Sequence, residues 1–430
     1  MKIHIHTLGC KVNQFESQAL ETVLAARGYE IAAEESGDCG CFIINTCAVT
    51  GESGRKSRQA IRHLQETYPH AVIAVCGCYA QIAPAEVEKL GVALVSGSGG
   101  RMQFADDLES ILRGGEHITR IDAPLKRRCY EDLPAGSLSG RTRAMLKIQD
   151  GCSNFCTYCI IPYARGPVRS LPVADAAAAA ARLASEGYME LVITGIEIAS
   201  YGKDLKTGET LADAVCAVAD AAPNVRLRLG SLEPRVITED FCRKLASLPG
   251  LCPHFHLSLQ SGCDETLARM KRKYDSARFY RSVELLRQYF PHCGLTADLI
   301  TGFPGETEEE FAKTLAFIEK CGFSAMHIFP YSVRPGTPAA VMDGQVEKSV
   351  KQRRAGEASA AAKRMEQAFL SDCVGTVQQV LFEQESDGVS TGHGGNYVQV
   401  CAPATGVHNL VKPVYIESVR NGKLWGKVLL

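Results

Sequence analysis

The chain has 430 residues, 18 of them cysteines, and a formal net charge of -1. Its length suggests about two or three domains. No apolar stretch is long enough to cross a bilayer, and the start lacks the features of an export signal. We therefore expect a cytoplasmic protein with no membrane contact. In that reducing compartment, cysteines serve as metal ligands or catalytic groups more often than as disulfides.

The first part of the chain alternates short apolar runs with helix-length polar segments. Such alternation is typical of parallel strands joined by helical crossovers. We therefore predict an N-terminal open parallel α/β sheet over residues 1–112 and, because Gly, Pro and charged residues are mixed there, a linker over 113–143. The strands are predicted at 3–8, 41–46 and 71–76, and the helices at 13–27, 53–67 and 84–90.

The same alternation restarts after the linker and then gives way to a β pattern. Six units are fewer than the eight of a complete barrel, so we expect a central incomplete (β/α)6 barrel over 144–345. A connecting helix is predicted over 346–370 and a small all-β domain over 371–430. The fold class is therefore an α/β multidomain protein. The barrel strands are predicted at 144–149, 190–194, 225–229, 254–259, 295–300 and 325–329.

A dense cysteine motif follows the first strand of the predicted barrel. It is Gly151-Cys152-Ser153-Asn154-Phe155-Cys156-Thr157-Tyr158-Cys159. Three thiolates at this spacing can hold three irons of a 4Fe-4S cluster and leave the fourth iron without a protein ligand. A structural zinc site requires four ligands, and no fourth Cys or His follows nearby. We therefore predict Cys152, Cys156 and Cys159 as cluster ligands, with buried structural cysteines as the alternative.

Three more cysteines, Cys10, Cys47 and Cys78, each follow a predicted strand of the N-terminal sheet. The carboxyl ends of parallel strands meet at one edge of a sheet, so these thiols are expected to converge there. They would again leave one iron of a cluster open. Ordinary core cysteines explain the same pattern equally well. Three neighbouring cysteines lie within a strand or at its entry and are left out: Cys39, Cys41 and Cys76.

Four motifs together resemble the radical S-adenosylmethionine (SAM) methylthiotransferases. They occur in the family's order and span nearly the whole chain. The resemblance implies a radical SAM barrel in the centre and a TRAM domain, a small β barrel, at the end. The motifs are Thr7-Leu8-Gly9-Cys10-Lys11-Val12-Asn13-Gln14, Asn45-Thr46-Cys47-Ala48-Val49-Thr50, Gly77-Cys78-Tyr79-Ala80-Gln81, and Lys147-Ile148-Gln149-Asp150-Gly151-Cys152 with Ile161-Pro162-Tyr163-Ala164-Arg165-Gly166.

The resemblance implies two 4Fe-4S clusters and SAM as cofactors. In this family the cluster on the barrel loop binds SAM through its open iron and yields a 5'-deoxyadenosyl radical. The cluster on the N-terminal sheet carries the sulfur that is inserted, and one SAM methylates that sulfur while a second supplies the radical. The cofactors supply the difficult chemistry and the protein supplies placement. No catalytic side chain is assigned beyond the six cluster ligands.

Further residues are expected to bind cofactor or substrate. Thr194-Gly195-Ile196-Glu197 resembles the motif that receives the SAM amino group, although a plain strand-to-loop turn explains it equally well. Guanidinium groups pair with phosphate or carboxylate, and a solvated surface is the alternative for the arginines. The expected SAM-binding residues are Gly195, Glu197, Ser258 and Gln260, and the expected substrate-binding residues are Arg165, Arg169 and Arg334.

The motifs look most like the branch of the family that acts on threonylcarbamoyladenosine next to the anticodon of tRNA. The expected reaction converts this nucleoside to its 2-methylthio derivative. The alternatives are an isopentenyladenosine enzyme, a modifier of an aspartate in a ribosomal protein, or a non-catalytic iron-sulfur carrier or RNA-binding module. The expected partners are the tRNA anticodon stem-loop and a reducing electron-donor protein, and the expected oligomeric state is a monomer.

Overall fold

The computed structural model describes residues 1–134 and 142–429. Residues 135–141, in the predicted linker, and residue 430 lie outside the described residues. The N-terminal segment alternates strands and helices as the sequence predicts. Its elements are β1 (Lys2–Thr7), α1 (Lys11–Ala26), β2 (Glu30–Ala32), β3 (Cys39–Thr46), α2 (Gly51–Thr67), β4 (Val72–Gly77), α3 (Cys78–Ile82), α4 (Pro84–Glu88), β5 (Leu94–Ser96), α5 (Arg101–Leu112) and β6 (Ile118–Arg120).

The N-terminal strands form a parallel sheet in the order β2-β1-β3-β4-β5-β6. Successive side chains of a strand point to opposite faces, and β3 follows this rule. Cys41 and Ile43 pack towards α1 and α5, whereas Phe42 and Ile44 pack towards α2. Helices therefore cover both faces, and the carboxyl ends of the central strands lie at one edge. The predicted open parallel sheet is confirmed.

The strand β6 lies within the segment that the sequence predicts as a linker. It pairs in parallel with β5 and extends the N-terminal sheet. Arg120 at its end is paired with Asp107 of α5, with 2.8 Å between Nη2 and Oδ1. A strand of three residues is too short to show a period-two pattern, which explains why the sequence did not predict it.

The central segment continues the alternation around a partial barrel. Parallel strands run in the order β7-β10-β11 in one sheet and β12-β13-β14-β15 in another, and a bridge between Leu227 and Leu251 joins them. The predicted incomplete barrel is confirmed. Its elements are β7 (Arg143–Lys147), β8 (Gln149–Asp150), α6 (Ile161–Arg165), β9 (Arg169–Ser170), α7 (Val173–Ser185), β10 (Glu190–Thr194), α8 (Leu211–Ala221), β11 (Arg226–Leu229), β12 (Ser231–Leu232), α9 (Glu239–Ala246), β13 (His254–Gln260), α10 (Asp264–Arg269), α11 (Ser276–Tyr289), β14 (Gly294–Thr301), α12 (Glu308–Cys321) and β15 (Ala325–Pro330).

A long helix leads from the partial barrel to a small closed barrel of strands in the order β16-β17-β18-β20-β19. This barrel has the architecture expected of the all-β domain. Within the described residues, no helix is long and apolar enough to span a membrane. The last elements are α13 (Lys348–Asp372), β16 (Val377–Ser386), β17 (Val389–Gly394), β18 (Gln399–Ala402), β19 (Val411–Arg420) and β20 (Lys423–Val428).

A buried carboxylate, Glu190, joins the two barrels. Arg228 Nε donates to Glu190 Oε1 at 2.8 Å, and Arg226 Nε donates to Glu190 Oε2 at 3.0 Å. Both arginines also donate to backbone carbonyls of the small barrel, those of Gln379 and Gly395. Burial alone would raise the pKa of Glu190, but Arg228 and Arg226 lower it to about 2. Glu190 is therefore a carboxylate at neutral pH.

We expect Glu190→Ala to destabilise the protein strongly. Glu190 is 0% exposed, and its loss leaves two buried guanidinium groups without a counter-charge. Breaking a buried ion pair from one side costs about 3–5 kcal/mol. Anaerobic urea unfolding followed by circular dichroism measures this loss.

The control for this substitution is Glu319→Ala. Glu319 pairs with Arg364 on the surface, where both side chains are more than half exposed. Exposed ion pairs contribute little because water screens them. Equal losses of unfolding free energy in the two variants would contradict a structural role of the buried pairs.

Candidate functional site

The first set of cysteines, Cys10, Cys47 and Cys78, lies at the carboxyl edge of the N-terminal sheet, and we call it the N-terminal cysteine set. Cys10 precedes α1, Cys47 directly follows β3, and Cys78 is the first residue of α3. Gly9 has φ +111°, and a Cβ there would lie 2.8 Å from Cys47 Cβ. Only glycine therefore allows the Cys10 and Cys47 loops to approach this closely.

Asn13 fixes the position of the two loops that carry Cys10 and Cys47. Its Nδ2 donates to Leu8 O at 2.8 Å and to Thr46 O at 3.0 Å. Asn13 is 1% exposed, so these bonds are shielded from water. Cys10, in contrast, is open to solvent although protein surrounds it, and this enclosure raises the pKa of its thiol. A ligand can therefore reach Cys10 from solvent.

The second set, Cys152, Cys156 and Cys159, lies on the loop between β8 and α6, and we call it the loop cysteine set. The antiparallel pairing of β8 with β9 closes the base of this loop, and Cys152 N donates to Gly166 O at 3.0 Å. Arg272 Nη1 donates to Cys156 Sγ at 3.2 Å. A fixed cation therefore stands beside the thiol in the middle of the loop.

Both cysteine sets fit an iron-sulfur cluster better than a single ion. Among the described residues, neither set has all three sulfur atoms within 4.8 Å of one another, the spacing expected around one ion. Burial raises the pKa of Cys152 and of Cys159 to about 12. Metal binding requires the thiolate, so a strong cationic centre such as a cluster must displace these protons. The donor chemistry of three thiols is that of an iron-sulfur site.

The short helix α6 brings the two cysteine sets close to each other. It begins two residues after Cys159 and ends at Arg165, whose Nε donates to Cys78 Sγ at 3.2 Å. Ile160 and Ala164 pack in the same apolar cluster as Tyr79 and Phe42 of the N-terminal sheet. The five residues of α6 rise about 7 Å, so the end of the loop cysteine set lies near the N-terminal cysteine set.

Arg165 takes part in a buried network of ion pairs between the two segments. Its Nη1 donates to Glu16 Oε1 of α1 at 2.6 Å and to Asp150 Oδ1 at 3.3 Å. Arg101 Nη2 donates to Glu16 Oε2 at 2.9 Å, and Lys147 Nζ lies 2.8 Å from Asp150 Oδ2. Burial alone would raise the pKa of Glu16, but Arg165, Arg101 and Lys147 lower it to about 2. Glu16 is therefore a carboxylate at neutral pH, and the surrounding cations stabilise its charge.

The sequence predicts substrate contacts for Arg165 and Arg169, and in the structure both side chains are buried. Arg165 is 0% exposed, and its guanidinium bonds to Glu16, Asn13, Asp150 and Cys78. Arg169 is also buried, and its Nη1 donates to the backbone carbonyls of Arg165 and Pro167. Their hydrogen-bonding capacity is largely used inside the protein.

Arg334 has a different environment from Arg165 and Arg169. Its side chain is half-buried, and burial lowers the pKa of its guanidinium while the thiols of Cys47 and Cys159, one from each set, act in the opposite direction. No acidic partner is found for it in the described ranges 1–134 and 142–429. The loop that carries it contacts the N-terminal segment, where Gly51 N donates to Ser332 Oγ at 3.0 Å. Arg334 thus stands between the cysteine sets with its charge uncompensated.

Glu197 presents a second unsatisfied group beside the loop cysteine set. Its N–H donates to Gln149 Oε1 at 2.8 Å, and its Oε2 accepts a long bond of 3.4 Å from Asn154 Nδ2. Its Oε1 is shielded from solvent and has no hydrogen-bond partner in the described part of the chain. Burial raises the pKa of Glu197 to about 7. An unpaired buried carboxylate of this kind favours a cationic ligand.

The other residues expected to bind SAM lie near the same end of the partial barrel. A Cβ on Gly195 would lie 2.8 Å from Gln149 O, so a larger residue would displace the Cys152 loop. Ser258 Oγ is 3.0 Å from Ser231 Oγ, and Ser258 O accepts a bond from Arg272 at 3.4 Å. Gln260, with φ +66°, ends β13.

Sequence reasoning did not find several residues that shape the site. Arg272 lies in the run Lys271-Arg272-Lys273, a pattern that usually marks a solvated surface. Glu16 is one polar residue among many in α1, and only its 1% exposure distinguishes it. Neither pattern reveals a buried charge. Asn13 is different, because it belongs to the motif that contains Cys10. Its place in that motif is a sequence signal that could have identified it as a site residue.

Family comparisons match the two segments separately. The Radical SAM superfamily matches residues 146–318, and a family described as Uncharacterized protein family UPF0004 matches residues 2–97. Among solved structures, the radical SAM methyltransferase TsrM from Kitasatospora setae superposes with a TM-score of 0.59 at 15% identity. The superposition covers 90% of this chain and 79% of that chain. At this low identity, the likeness supports the fold alone.

Curated relatives cover almost the whole chain. The protein named threonylcarbamoyladenosine tRNA methylthiotransferase MtaB of Bacillus subtilis is 38% identical over 94% of this chain and 90% of its own length. Its namesake in Thermotoga maritima is 37% identical over 92% and 90%. A tRNA-2-methylthio-N(6)-dimethylallyladenosine synthase of Bacteroides fragilis is 31% identical over 89% and 85%. The chain therefore belongs to the radical S-adenosylmethionine methylthiotransferase family.

Proposed function

We propose that this enzyme converts N6-threonylcarbamoyladenosine next to the anticodon of tRNA to its 2-methylthio derivative. The relatives with the highest identities reported above carry the name of this activity. The structural observation that carries the proposal is that α6, which begins two residues after Cys159, ends at Arg165, whose Nε donates to Cys78 Sγ at 3.2 Å. Two cysteine sets that open towards one space suit a reaction in which one centre activates the substrate and the other delivers sulfur.

The six cysteines are proposed to hold two 4Fe-4S clusters, each with one iron that lacks a protein ligand. When bound, the cluster of the loop cysteine set supplies reductive cleavage of SAM, and the cluster of the N-terminal cysteine set supplies the sulfur. The role of the protein is to hold the two cysteine sets at a fixed distance and orientation. The buried ion pair of Arg165 and Glu16 links the two segments that carry these sets. We therefore propose that Arg165 positions the cysteine sets and does not contact the substrate.

The pocket for SAM is proposed to lie at the carboxyl end of the partial barrel. The unpaired Glu197 Oε1 accepts a charge-assisted bond from the SAM ammonium group. Gly195 leaves room for the cofactor beside Gln149, and Ser258 and Gln260 line the same end of the barrel. Burial of Glu197 excludes water from this bond, which strengthens it.

The substrate nucleoside is proposed to enter between the two cysteine sets. Arg334 pairs with a phosphate or with the carboxylate of the threonylcarbamoyl group, because its guanidinium has no internal counter-ion. Phe155 and Tyr163 are exposed beside the loop cysteine set, with ring centroids 5.6 Å apart. Exposed aromatic side chains are common stacking partners of RNA bases.

We also propose the remaining features that the sequence predicts. These are an anticodon stem-loop as the recognised part of tRNA, a reducing protein as the electron donor, and a monomeric, cytoplasmic enzyme. The proposed domains are 1–112, 144–345 and 371–430, joined by the linker 113–143 and the helix 346–370. The strand β6 extends the sheet of the first domain into that linker.

Deletion of the gene is expected to remove 2-methylthio-threonylcarbamoyladenosine from cellular tRNA. Mass spectrometry of tRNA nucleosides from the deletion and parent strains measures this loss, and re-expression of the chain restores the nucleoside. The unmodified threonylcarbamoyladenosine should accumulate instead. Loss of the isopentenyl product, or of a methylthio group on a ribosomal-protein aspartate with tRNA unchanged, would assign a different substrate.

Replacing Cys10, Cys47 and Cys78 together by alanine is expected to halve the iron content. Two clusters hold about eight irons and one holds about four. The triple variant should still cleave SAM to 5'-deoxyadenosine but form no methylthio product. The exposed Cys129→Ala variant serves as control and should keep about eight irons. A triple variant that retains full iron would refute the second cluster site.

Glu197→Gln is expected to raise the Kd for SAM by about 10- to 100-fold. A hydrogen bond between charged groups contributes about 1.5–3 kcal/mol, and each 1.4 kcal/mol is a factor of ten. Isothermal titration of the cluster-loaded enzyme with SAM measures the change. The matched control is Glu186→Gln at the exposed end of α7, which should bind SAM as the parent does. Unchanged affinity in Glu197→Gln would exclude this contact.

A further inference from the structure

Two histidines lie side by side on the first strand, away from both cysteine sets. His4 and His6 alternate on β1 with Ile3 and Ile5, which pack in the apolar core against α1 and α5. The histidines therefore point to the opposite face of the sheet, where α2 packs over β3 and β4. The His4 ring lies edge-on to Phe42, with 6.2 Å between centroids. The part of this face that β1 forms therefore carries the polar side chains of His4 and His6 in place of apolar ones.

A carboxylate and a third histidine complete a cluster around these two residues. Ligand atoms of His4, His6 and Glu35 all lie within 4.8 Å of one another. Glu35 Oε1 is 3.3 Å from His6 Nδ1, and Glu35 Oε2 is 3.5 Å from His63 Nε2 of α2. Ligands at about 2 Å from a tetrahedral zinc ion are about 3.3 Å apart. The separation of His6 and Glu35 therefore matches that of two ligands around one ion, and His63 lies beside Glu35 but outside this group of three.

The hydrogen bonds of the histidine rings leave ligand nitrogens free. His4 Nδ1 is 3.0 Å from the backbone carbonyl of Ala32, so it donates there and its Nε2 carries the lone pair. A metal-binding histidine usually donates its other ring nitrogen to a carbonyl or carboxylate in this way. His63 Nδ1 faces Thr67 Oγ1 at 3.5 Å, which turns Nε2 towards Glu35.

We propose that His4, His6 and Glu35 form a zinc-binding site and that His63, 3.5 Å from Glu35, becomes the fourth ligand when the ion binds. Three imidazoles and one carboxylate are a donor set that zinc accepts in tetrahedral geometry, whereas magnesium and calcium require mainly oxygen ligands. The side chains of His6, Glu35 and His63 are 33%, 28% and 62% exposed, so the ion enters from solvent. The site contains no cysteine and is separate from the iron-sulfur centres.

The proposed site joins the segments that carry two of the cluster ligands. His4 and His6 belong to the strand that leads to Cys10, and His63 belongs to the helix that follows the Cys47 loop. Glu35 lies in the loop between β2 and β3. A bound ion therefore ties β1 to α2 across an edge of the sheet. Its binding free energy adds to the stability of the folded N-terminal segment.

The test uses the chain loaded with both iron-sulfur clusters, so that the cluster cysteines do not compete for zinc. The enzyme is dialysed anaerobically to equilibrium against a series of Zn²⁺ concentrations, and bound zinc and iron are counted by mass spectrometry. We expect one zinc per chain with iron unchanged. His4→Ala and His6→Ala should each weaken zinc binding at least about 10-fold, the smallest loss typical even of outer partners.

The matched control is His70→Ala, because His70 is exposed and lies outside the cluster. It should bind zinc as the parent does. Glu35→Gln provides a second variant that keeps the size of the side chain and removes its charge, and it should also weaken binding. Zinc uptake that is absent, or equal in the parent and all three cluster variants, would overturn the proposal.

X-ray absorption at the zinc edge gives an independent result. Imidazole and carboxylate ligands give a shell at about 2.0 Å, whereas cysteine ligands give one at about 2.3 Å. A sulfur shell would assign the zinc to a cysteine site and refute the proposed one. Iron content and SAM cleavage, measured on the same samples, report the proposed enzymatic function separately from zinc binding.

Discussion

The relative position of the two cysteine sets depends on one buried ion pair, Arg165 with Glu16. Arg165 ends the helix that follows the loop cysteine set, and Glu16 lies on the helix that follows Cys10. Removing either charge would unbalance the buried network that also contains Arg101 and Asp150, and breaking a buried ion pair costs about 3–5 kcal/mol. Asp150 and Lys147 share the network and come from the strands beside the loop. Electrostatic complementarity therefore fixes the two segments against each other.

Each cysteine set also has its own buried guanidinium group. Arg165 donates to Cys78, and Arg272 donates to Cys156. A thiolate-bound cluster is anionic, and a cation held in a protein interior stabilises such a charge far more than water-exposed cations do. Both arginines are held by other contacts, Arg165 by Glu16 and Arg272 by Tyr274. The protein thus places a guanidinium group beside one thiol of each cysteine set.

Much of this arrangement follows from the sequence, because strand period and strand ends are local properties. Cys47 and Cys78 are placed correctly by the rule that parallel strands present their carboxyl ends at one edge. The direction in which a single arginine side chain points is not a local property of the sequence. Arg165 follows the loop cysteine set in the sequence. The local sequence is compatible with either a solvent-exposed or a buried side chain at this position. Only the three-dimensional position of Glu16, 149 residues away, decides between them.

The small barrel covers one end of the partial barrel. Glu190, Arg226 and His254 all lie at the amino-terminal ends of their strands. There Tyr397 stacks on His254 with 4.7 Å between centroids, and the Arg228 guanidinium lies over the same Tyr397 ring. The turn after β17 therefore closes this end. The small barrel covers the end of the partial barrel at which the strands begin. The carboxyl end, which lies beside both cysteine sets, is left open to the barrel interior. The SAM pocket and the substrate entrance proposed above lie at this open end, the side where catalytic groups of such barrels are found.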